Sequence, residues 1–260
     1  MSVNRRSVGG WLRREGVYLL VAIQFLTRLP VPHLNGFEPR WLDRSSAYFP
    51  LAGLLVGAIS AAVLTAAATI WPEPVPALLA VAAGIATTGA FHEDGLADTA
   101  DGLGGGHTRE QRLLIMKDSR IGTYGTAALL IAFALKTACL VMISPSMAAI
   151  ALLAAHAGGR VVPVVACAFL PYGGDTAGAK TAPMTPSQSR LMFACVTGFL
   201  PFLLIPAQPA VQAILVGGAL AALLLAYAIR SIGGHTGDVL GAAEQVFEVG
   251  VLLVIAGTLR

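Results

Sequence analysis

Long apolar runs separated by short polar turns make up most of this chain. A helix needs about 20 mainly apolar residues to cross ~30 Å of hydrocarbon. Ser45 to Ile70 has no charged residue and includes Gly53, Gly57, Ala58, Ser60 and Ala61, small side chains that let helices pack closely. Further runs cover Ala77 to Phe91, Thr123 to Ile143, Met147 to Phe169, Leu191 to Ile205 and Ala210 to Ile229. Val249 to Leu259 is a shorter apolar tail. Gly16 to Leu29 is interrupted by Gln24, Thr27 and Arg28, which predicts an interfacial or re-entrant piece. Trp71-Pro72-Glu73-Pro74-Val75-Pro76 and Ser144-Pro145 are the proline breakers expected between antiparallel spans. The pattern predicts an all-α, polytopic membrane bundle of about six to eight segments, short or re-entrant ones included. With no internal repeat and no low-complexity linker, residues 1–260 read as one domain.

Composition supports this reading. The chain is 56% hydrophobic and 12% charged, with a mean hydropathy of +0.74, outside the range of soluble domains. The net charge of +3 is spread over short loops with no basic stripe, which excludes nucleic acid as a partner. Cys139, Cys167 and Cys195 are odd in number and lie in apolar stretches, as buried thiols do, without disulfide or zinc spacing. Arg5, Arg6, Arg13 and Arg14 precede an apolar stretch, as in a signal peptide. No small-residue cleavage site follows, so the segment reads as mature structure.

Threading the six spans separates the charges. The N-terminal arm and the 30–44, 92–122, 170–190 and 230–248 segments fall on one face and hold 14 of the 17 Lys and Arg. Lys136 and Arg160 lie within spans, and Arg260 is the last residue. The opposite turns, Trp71 to Pro76, Ser144 to Ser146 and Pro206 to Pro209, have no basic residue. The positive-inside rule makes the charged face cytoplasmic, where phosphorylated metabolites are found.

The most unusual segment lies on that face. Glu93, Asp94, Asp98 and Asp101 fall within nine residues of glycine- and alanine-rich sequence. In a helix, Asp94, Asp98 and Asp101 share one face. Three repelling carboxylates on one stripe make sense with a divalent cation between them; a solvated acidic loop is the competing reading. Arg109 and Arg112 follow, then Met116-Lys117-Asp118-Ser119-Arg120-Ile121-Gly122-Thr123-Tyr124-Gly125. A carboxylate-bound metal beside Lys117 and Arg120 is equipment for phosphoryl transfer. Gly104 to Gly106, Gly122 and Gly125 let backbone amides approach an anion. Taken alone, the Lys-Asp-Ser-Arg run reads equally as a surface loop with a helix cap.

A charge at bilayer depth reads as functional by default. His156 is expected at the depth of Lys136, with Arg160 one turn nearer the charged face on the same side of its helix. Arg160 can grip a diphosphate through two donors, while Lys136 can snorkel or pair with a carboxylate; alone, His156 also reads as a hydrogen-bonded interior histidine. A second polar cluster runs from Gly233 to Glu244 and on to Glu248. Glu244 and Glu248 share a helical face, and the glycines around Asp238 leave room for a ligand. The cluster reads as the opposite wall of the same site, as a cap for the last helix by Thr236 or Asp238, or as both.

Several of these segments together resemble one family. Phe25-Leu26-Thr27-Arg28-Leu29-Pro30, Tyr48-Phe49-Pro50-Leu51-Ala52-Gly53, the Glu93 to Gly102 run, the Met116 to Gly125 run and Thr236-Gly237-Asp238-Val239-Leu240-Gly241-Ala242 closely resemble the cobalamin synthase, or adenosylcobinamide-GDP ribazoletransferase, family. They occur in family order along nearly the whole chain. The resemblance implies a late step of vitamin B12 assembly. α-Ribazole or its 5′-phosphate attacks the cobinamide-linked phosphorus of adenosylcobinamide-GDP, giving adenosylcobalamin or its phosphate and releasing GMP, with Mg2+ as cofactor. On this reading Asp94, Asp98 and Asp101 hold the metal, and Glu93 completes its shell or acts as base. Lys117, Arg120 and Arg160 hold the diphosphate, with Asp118, Ser119, Gly122, Gly104 and Gly105 lining the same substrate site. Asp238 binds a second magnesium or orients the incoming hydroxyl. The implied location is a bacterial inner membrane, with self-association or association with other cobalamin-assembly enzymes as further expectations.

Three other readings share parts of this pattern. Membrane prenyltransferases use aspartate-rich helices and magnesium but need two clusters of comparable acidity, and the second one here is sparse. CDP-alcohol phosphotransferases carry Asp-Gly-x-x-Ala-Arg, and Asp98 stands where their arginine would be. A cation transporter places such carboxylates near the midplane of broken helices, whereas here they fall at a span's charged end.

Overall fold

The computed structural model describes residues 5–32, 39–174 and 184–259. Parts of the 30–44 and 170–190 segments, Lys180 among them, lie outside the described residues, as does Arg260. Regular structure among the described residues is helical apart from a lone bridge between Tyr172 and His235. The helices are α1 (Arg5–Leu26), α2 (Pro39–Ser45), α3 (Phe49–Ala67), α4 (Val75–Thr88), α5 (Phe91–Gly105), α6 (Arg109–Met116), α7 (Thr123–Val141), α8 (Pro145–Gly159), α9 (Val161–Phe169), α10 (Gln188–Phe199), α11 (Ala207–Ile232) and α12 (Gly237–Thr258).

Five stretches are long and apolar enough to cross a membrane: Trp41–Ala67, Thr123–Val141, Pro145–Phe169, Ala207–Ile232 and Gly237–Thr258. The bent pair α4 and α5 makes a sixth if counted as one span. The protein is therefore an all-α polytopic membrane protein, and four of the expected runs appear as spans. Glycine sets how closely these helices approach. A side chain on Gly57 of α3 would come within 2.8 Å of the Leu152 carbonyl of α8, and one on Gly53 would overlap the His156 carbonyl. Gly217 of α11 and Gly250 of α12 meet in the same way.

Three expectations need correction. Ala77 to Phe91 is not a continuous span: α4 stops at Thr88, Gly89 and Ala90 both take left-handed φ (67° and 60°), and α5 departs at 91°. Leu191 to Ile205 is α10 followed by a 3-10 turn over Leu200–Leu204, where Pro201 ends regular helix, and it falls short of a long span. The tail is not a short apolar piece, because α12 runs for 22 residues and includes the 237–248 stretch expected outside the spans. Its polar residues do not break the helix because Glu244, Gln245 and Glu248 are buried against internal partners. Gly16 to Leu29, expected as an interfacial or re-entrant piece and not as a full span, belongs mostly to the 22-residue helix α1, which is not among the long apolar spans. Its Val21, Ala22 and Leu26 bury against Phe49 and Ala52 of α3 and Ala194 of α10. Beside them Glu15 takes a hydrogen bond from the Tyr48 hydroxyl (2.7 Å) and pairs with Arg190 (3.2 Å).

Because α12 crosses, residue 258 lies on the face of the Pro206–Pro209 turn, opposite Ser119. In a cysteine-free background, Thr258→Cys and Gln208→Cys are expected to react with an impermeant maleimide from one side of sealed vesicles, and Ser119→Cys from the other. Gly53→Ala is expected to lower thermal stability in detergent by about 1–3 kcal/mol through overpacking. Gly218→Ala, with nothing within 4 Å, serves as the silent control in the same melt.

Candidate active site

The bend at Gly89 and Ala90 turns the acidic run into the separate helix α5. A negative charge near a helix N-terminus is favoured by the backbone dipole, and Glu93 and Asp94 both occupy the first turn. Exposure falls along the stripe: Asp94 is exposed, Asp98 half-buried and Asp101 buried. The N-terminus of α12 lies against this helix. A side chain on Gly95 would come within 2.7 Å of the Asp238 carbonyl, and one on Gly241 within 3.4 Å of the His92 backbone. The half-buried Asp238 thus joins the stripe, and Asp98 lies within electrostatic reach of Asp94, Asp238 and Asp101. Among the described residues, no hydrogen bond or ion pair engages the carboxylates of Asp94 and Asp98. They form an acidic mouth without a protein counter-ion. Thr236 caps α12 by accepting from the Val239 amide (3.3 Å), so the capping and site-wall readings of this cluster both hold. His235 beside it is buried against Tyr172, and burial lowers its pKa.

Asp101 is turned to a different task. Its two oxygens accept the amides of Gly122 (2.7 Å) and Gly125 (2.9 Å), so that α5 caps the N-terminus of α7. This satisfies donors that a helix start leaves unpaired and fixes the 117–122 loop beside the mouth. Lys117, Ser119 and Arg120 are exposed there. Arg120 pairs with Asp118 (2.6 Å) and holds that carboxyl at about 2. Gly104 and Gly105 are exposed at the other end of α5, with Gly104 under the Tyr124 ring. Arg109 and Arg112 hold backbone: Arg109 donates to the Ile232 and Gly173 carbonyls (3.0 and 2.8 Å), and Arg112 donates to those of Gly106 and Ser231 (3.0 and 3.1 Å). They lock α6 to the α11–α12 connection.

Below the mouth lies a second, enclosed set of charges. Glu248, 1% exposed, is met by Lys136 Nζ (2.6 Å), His156 Nδ1 (2.6 Å) and the Arg160 guanidinium. Arg160, also 1% exposed, contacts Glu244 and donates to the His156 carbonyl (3.2 Å), while a proton on His156 Nδ1 serves the pairing with Glu248. Lys136 and His156 do meet at one depth, and Lys136 pairs with a carboxylate. Gln245 accepts from Lys136 (2.7 Å) and donates to Glu244 (3.0 Å) and Glu93 (3.3 Å). A cavity of about 20 Å³, lined in part by Glu93, Lys136, His156, Arg160 and Glu248, has room for one water.

The structure therefore divides the expected site residues into two groups. Asp94, Asp98 and Asp238 face the mouth, with Lys117 and Arg120 exposed on the adjoining loop. Glu93 and Arg160 face the interior, where the contacts described for Arg160 are with Glu244, Glu248 and His156. Among the described residues, the one group with three ligand atoms within 4.8 Å of one another is His156, Glu244 and Glu248. That position already holds the cations of Lys136 and Arg160, and Asp94, Asp98 and Asp101 do not form such a group. The donors at the mouth do suit Mg2+, a hard cation usually held by one or two carboxylates plus substrate phosphates and not by an all-protein cage. Sequence reasoning missed Gln245, a neutral residue in an apolar stretch. It also missed the capping role of Asp101, for which Gly122 and Gly125 were the available signal.

Comparison with known proteins bears on this arrangement. A family model described as Cobalamin-5-phosphate synthase matches residues 18–256. The chain is similar to proteins named adenosylcobinamide-GDP ribazoletransferase. That of Leptothrix cholodnii is 42% identical over 252 residues, 93% of this chain and 96% of that protein. Those of Shewanella baltica (41% over 248 residues) and Rhizobium etli (42% over 250) each cover 92% of this chain and 95% of their own length. No solved structure matches.

Asp101→Asn replaces an acceptor of two amides by a group that must turn its own donor toward one of them. Its expected cost is about 1–3 kcal/mol of stability, read as a lower melting temperature in detergent. Asp98→Asn, at a position with no protein partner, is expected to leave that temperature unchanged or raise it.

Proposed function

The chain belongs to the cobalamin-5-phosphate synthase family, and from that premise we propose that it is an adenosylcobinamide-GDP ribazoletransferase working at the acidic mouth between α5 and α12. The observation that carries the site assignment is the set of facing carboxylates, Asp94, Asp98 and Asp238, of which Asp94 and Asp98 have no counter-ion among the described residues. Such a set is costly unless a cationic ligand completes it. Asp94 and Asp98 would hold Mg2+, with Asp238 as the third oxygen donor or as the acceptor that orients the nucleophile. When bound, the cation neutralises charge on the diphosphate and on the departing GMP.

The reaction is a phosphoryl-type substitution. A hydroxyl oxygen of α-ribazole, or of its 5′-phosphate, bonds to the cobinamide-linked phosphorus. The bond from that phosphorus to the oxygen bridging the two phosphates breaks, and GMP leaves. The hydroxyl proton passes to Asp238 or to water at the open mouth. Lys117 and Arg120, exposed on the loop that Asp101 fixes, would hold diphosphate oxygens. Arg120 would exchange its partner Asp118 for phosphate. Positive fixed charge there favours the transition state, in which charge spreads over the equatorial oxygens. Basic residues on this face and none on the opposite turns support a cytoplasmic orientation in the bacterial inner membrane. The second acidic cluster required for prenyl transfer is lacking: Glu244 and Glu248 are neutralised inside the bundle, which disfavours that alternative.

In detergent or liposomes, the wild-type chain is expected to release GMP from adenosylcobinamide-GDP only when α-ribazole or its phosphate and Mg2+ are both supplied. Chelation should stop release and added Mg2+ restore it. Asp98→Asn should reduce turnover on the order of 10²–10³-fold, the scale for losing one preorganised electrostatic partner. Near-normal turnover by that variant would contradict the assignment.

A further inference from the structure

Glu93 is the acidic residue of α5 that points the other way. It is 7% exposed, whereas Asp94, the next residue, is exposed. Its Oε1 accepts from Gln245 Nε2 at 3.3 Å, while Oε2 has no hydrogen-bond partner and Glu93 lines the interior cavity. Gln245, 2% exposed, uses the same amide nitrogen for Glu244 (3.0 Å), and its oxygen accepts from Lys136 (2.7 Å). One neutral side chain thus ties the first turn of α5 to α12 and α7.

This tie lies in the interface that forms the mouth. Glu93 directly precedes Asp94, and Gln245 lies two helical turns beyond Asp238 on α12. Between them the backbones meet at Gly95 against Asp238 and at Gly241 against His92. At the outer end of this interface, Asp94, Asp98 and Asp238 repel one another. At the inner end, the hydrogen bond between Glu93 and Gln245 crosses it.

We propose that Glu93 and Gln245 are positioning residues for the transfer site: their hydrogen bond holds α5 against α12 so that Asp94, Asp98 and Asp238 stay gathered despite their mutual repulsion. The proposal rests on the transferase reading above. Glu93 touches neither substrate nor metal and acts through the helix that carries Asp94 and Asp98. Loosening the tie changes how the carboxylates are presented and leaves the substrate-holding loop in place. The effect therefore falls on kcat and on the Mg2+ concentration needed for half-activity, and much less on KM for the corrinoid.

The test is a pair of substitutions at position 93, measured as GMP release in detergent. Glu93→Gln keeps an oxygen that can accept from Gln245 Nε2, and Glu93→Met removes it at similar length. Glu93→Met is expected to lose about 10–100-fold in kcat, the range for residues that orient a metal site from outside it. It should raise the half-saturating Mg2+ concentration while KM stays within about threefold. Glu93→Gln should keep most of the wild-type kcat. A residue acting directly as metal ligand or base could not be replaced in this way, because an amide is no base and a far weaker Mg2+ ligand than a carboxylate. A Glu93→Gln variant no better than Glu93→Met overturns the proposal, as does wild-type kcat in Glu93→Met. If Glu93→Met does not reach the membrane, Gln245→Asn, one methylene shorter, takes its place: lowered kcat with retained KM supports the proposal and unchanged kcat overturns it. Absence of GMP release by the wild-type chain would sink the transferase reading as well. Release by the wild type with equal loss in both position-93 variants sinks the positioning role alone.

Discussion

A charge inside an apolar helical bundle must find its opposite there, and in this protein that constraint gathers five helices around one carboxylate. Glu248 of α12 receives Lys136 from α7, His156 from α8 and Arg160 from the α8–α9 junction. Gln245 then links the cluster to Glu93 of α5. The glycines of α3 bring the fifth helix against the His156–Arg160 segment, since a side chain on Gly53 would collide with both residues. Removing one member of such a cluster leaves an uncompensated buried charge, at a cost of about 3–5 kcal/mol. The cluster is thus strong in specifying which helices meet, whatever it adds to net stability.

The carboxylates at the mouth obey the opposite rule. Where Glu244 and Glu248 are matched by fixed cations, Asp94 and Asp98 have none among the described residues, at the exposed edge of the α5–α12 interface. The same α5–α12 interface carries both sets. Its inner end is neutralised by the protein, and its outer end is where the proposed function places the ligands. On that proposal, the separation lets a membrane protein keep a stable interior and still offer unpaired negative charge to a metal-bound diphosphate.

Much of this was legible in the sequence because apolar runs and acidic spacing report directly on helices. The runs around Ser45–Ile70, Thr123–Ile143, Met147–Phe169 and Ala210–Ile229 appear as spans, and Asp94, Asp98 and Asp101 do lie on a helix. Windowed hydropathy failed where polar residues are satisfied internally. Glu244 and Glu248 kept the 230–248 segment out of the apolar spans, yet inside the bundle their partners come from α7, α8 and the α8–α9 junction, more than eighty residues away, which no local window can register. The break after Thr88 depends on left-handed backbone at Ala90, a conformation that alanine does not advertise. Asp101 read as a third metal ligand because its helical face was visible while its partners, the amides of Gly122 and Gly125, belong to every sequence alike. Arg160 stands out in the sequence by its depth, but the counter-ions that turn it inward lie on α12, in a segment that hydropathy left outside the spans.

The central claim is that a divalent cation binds among the exposed carboxylates of α5 and α12 and not in the interior cluster. Electron paramagnetic resonance of Mn2+, titrated into the detergent-solubilised chain with adenosylcobinamide-GDP present, tests it directly. The account predicts a substrate-dependent bound signal that Asp98→Asn abolishes and His156→Gln leaves intact. A signal that survives Asp98→Asn and disappears in His156→Gln would contradict it.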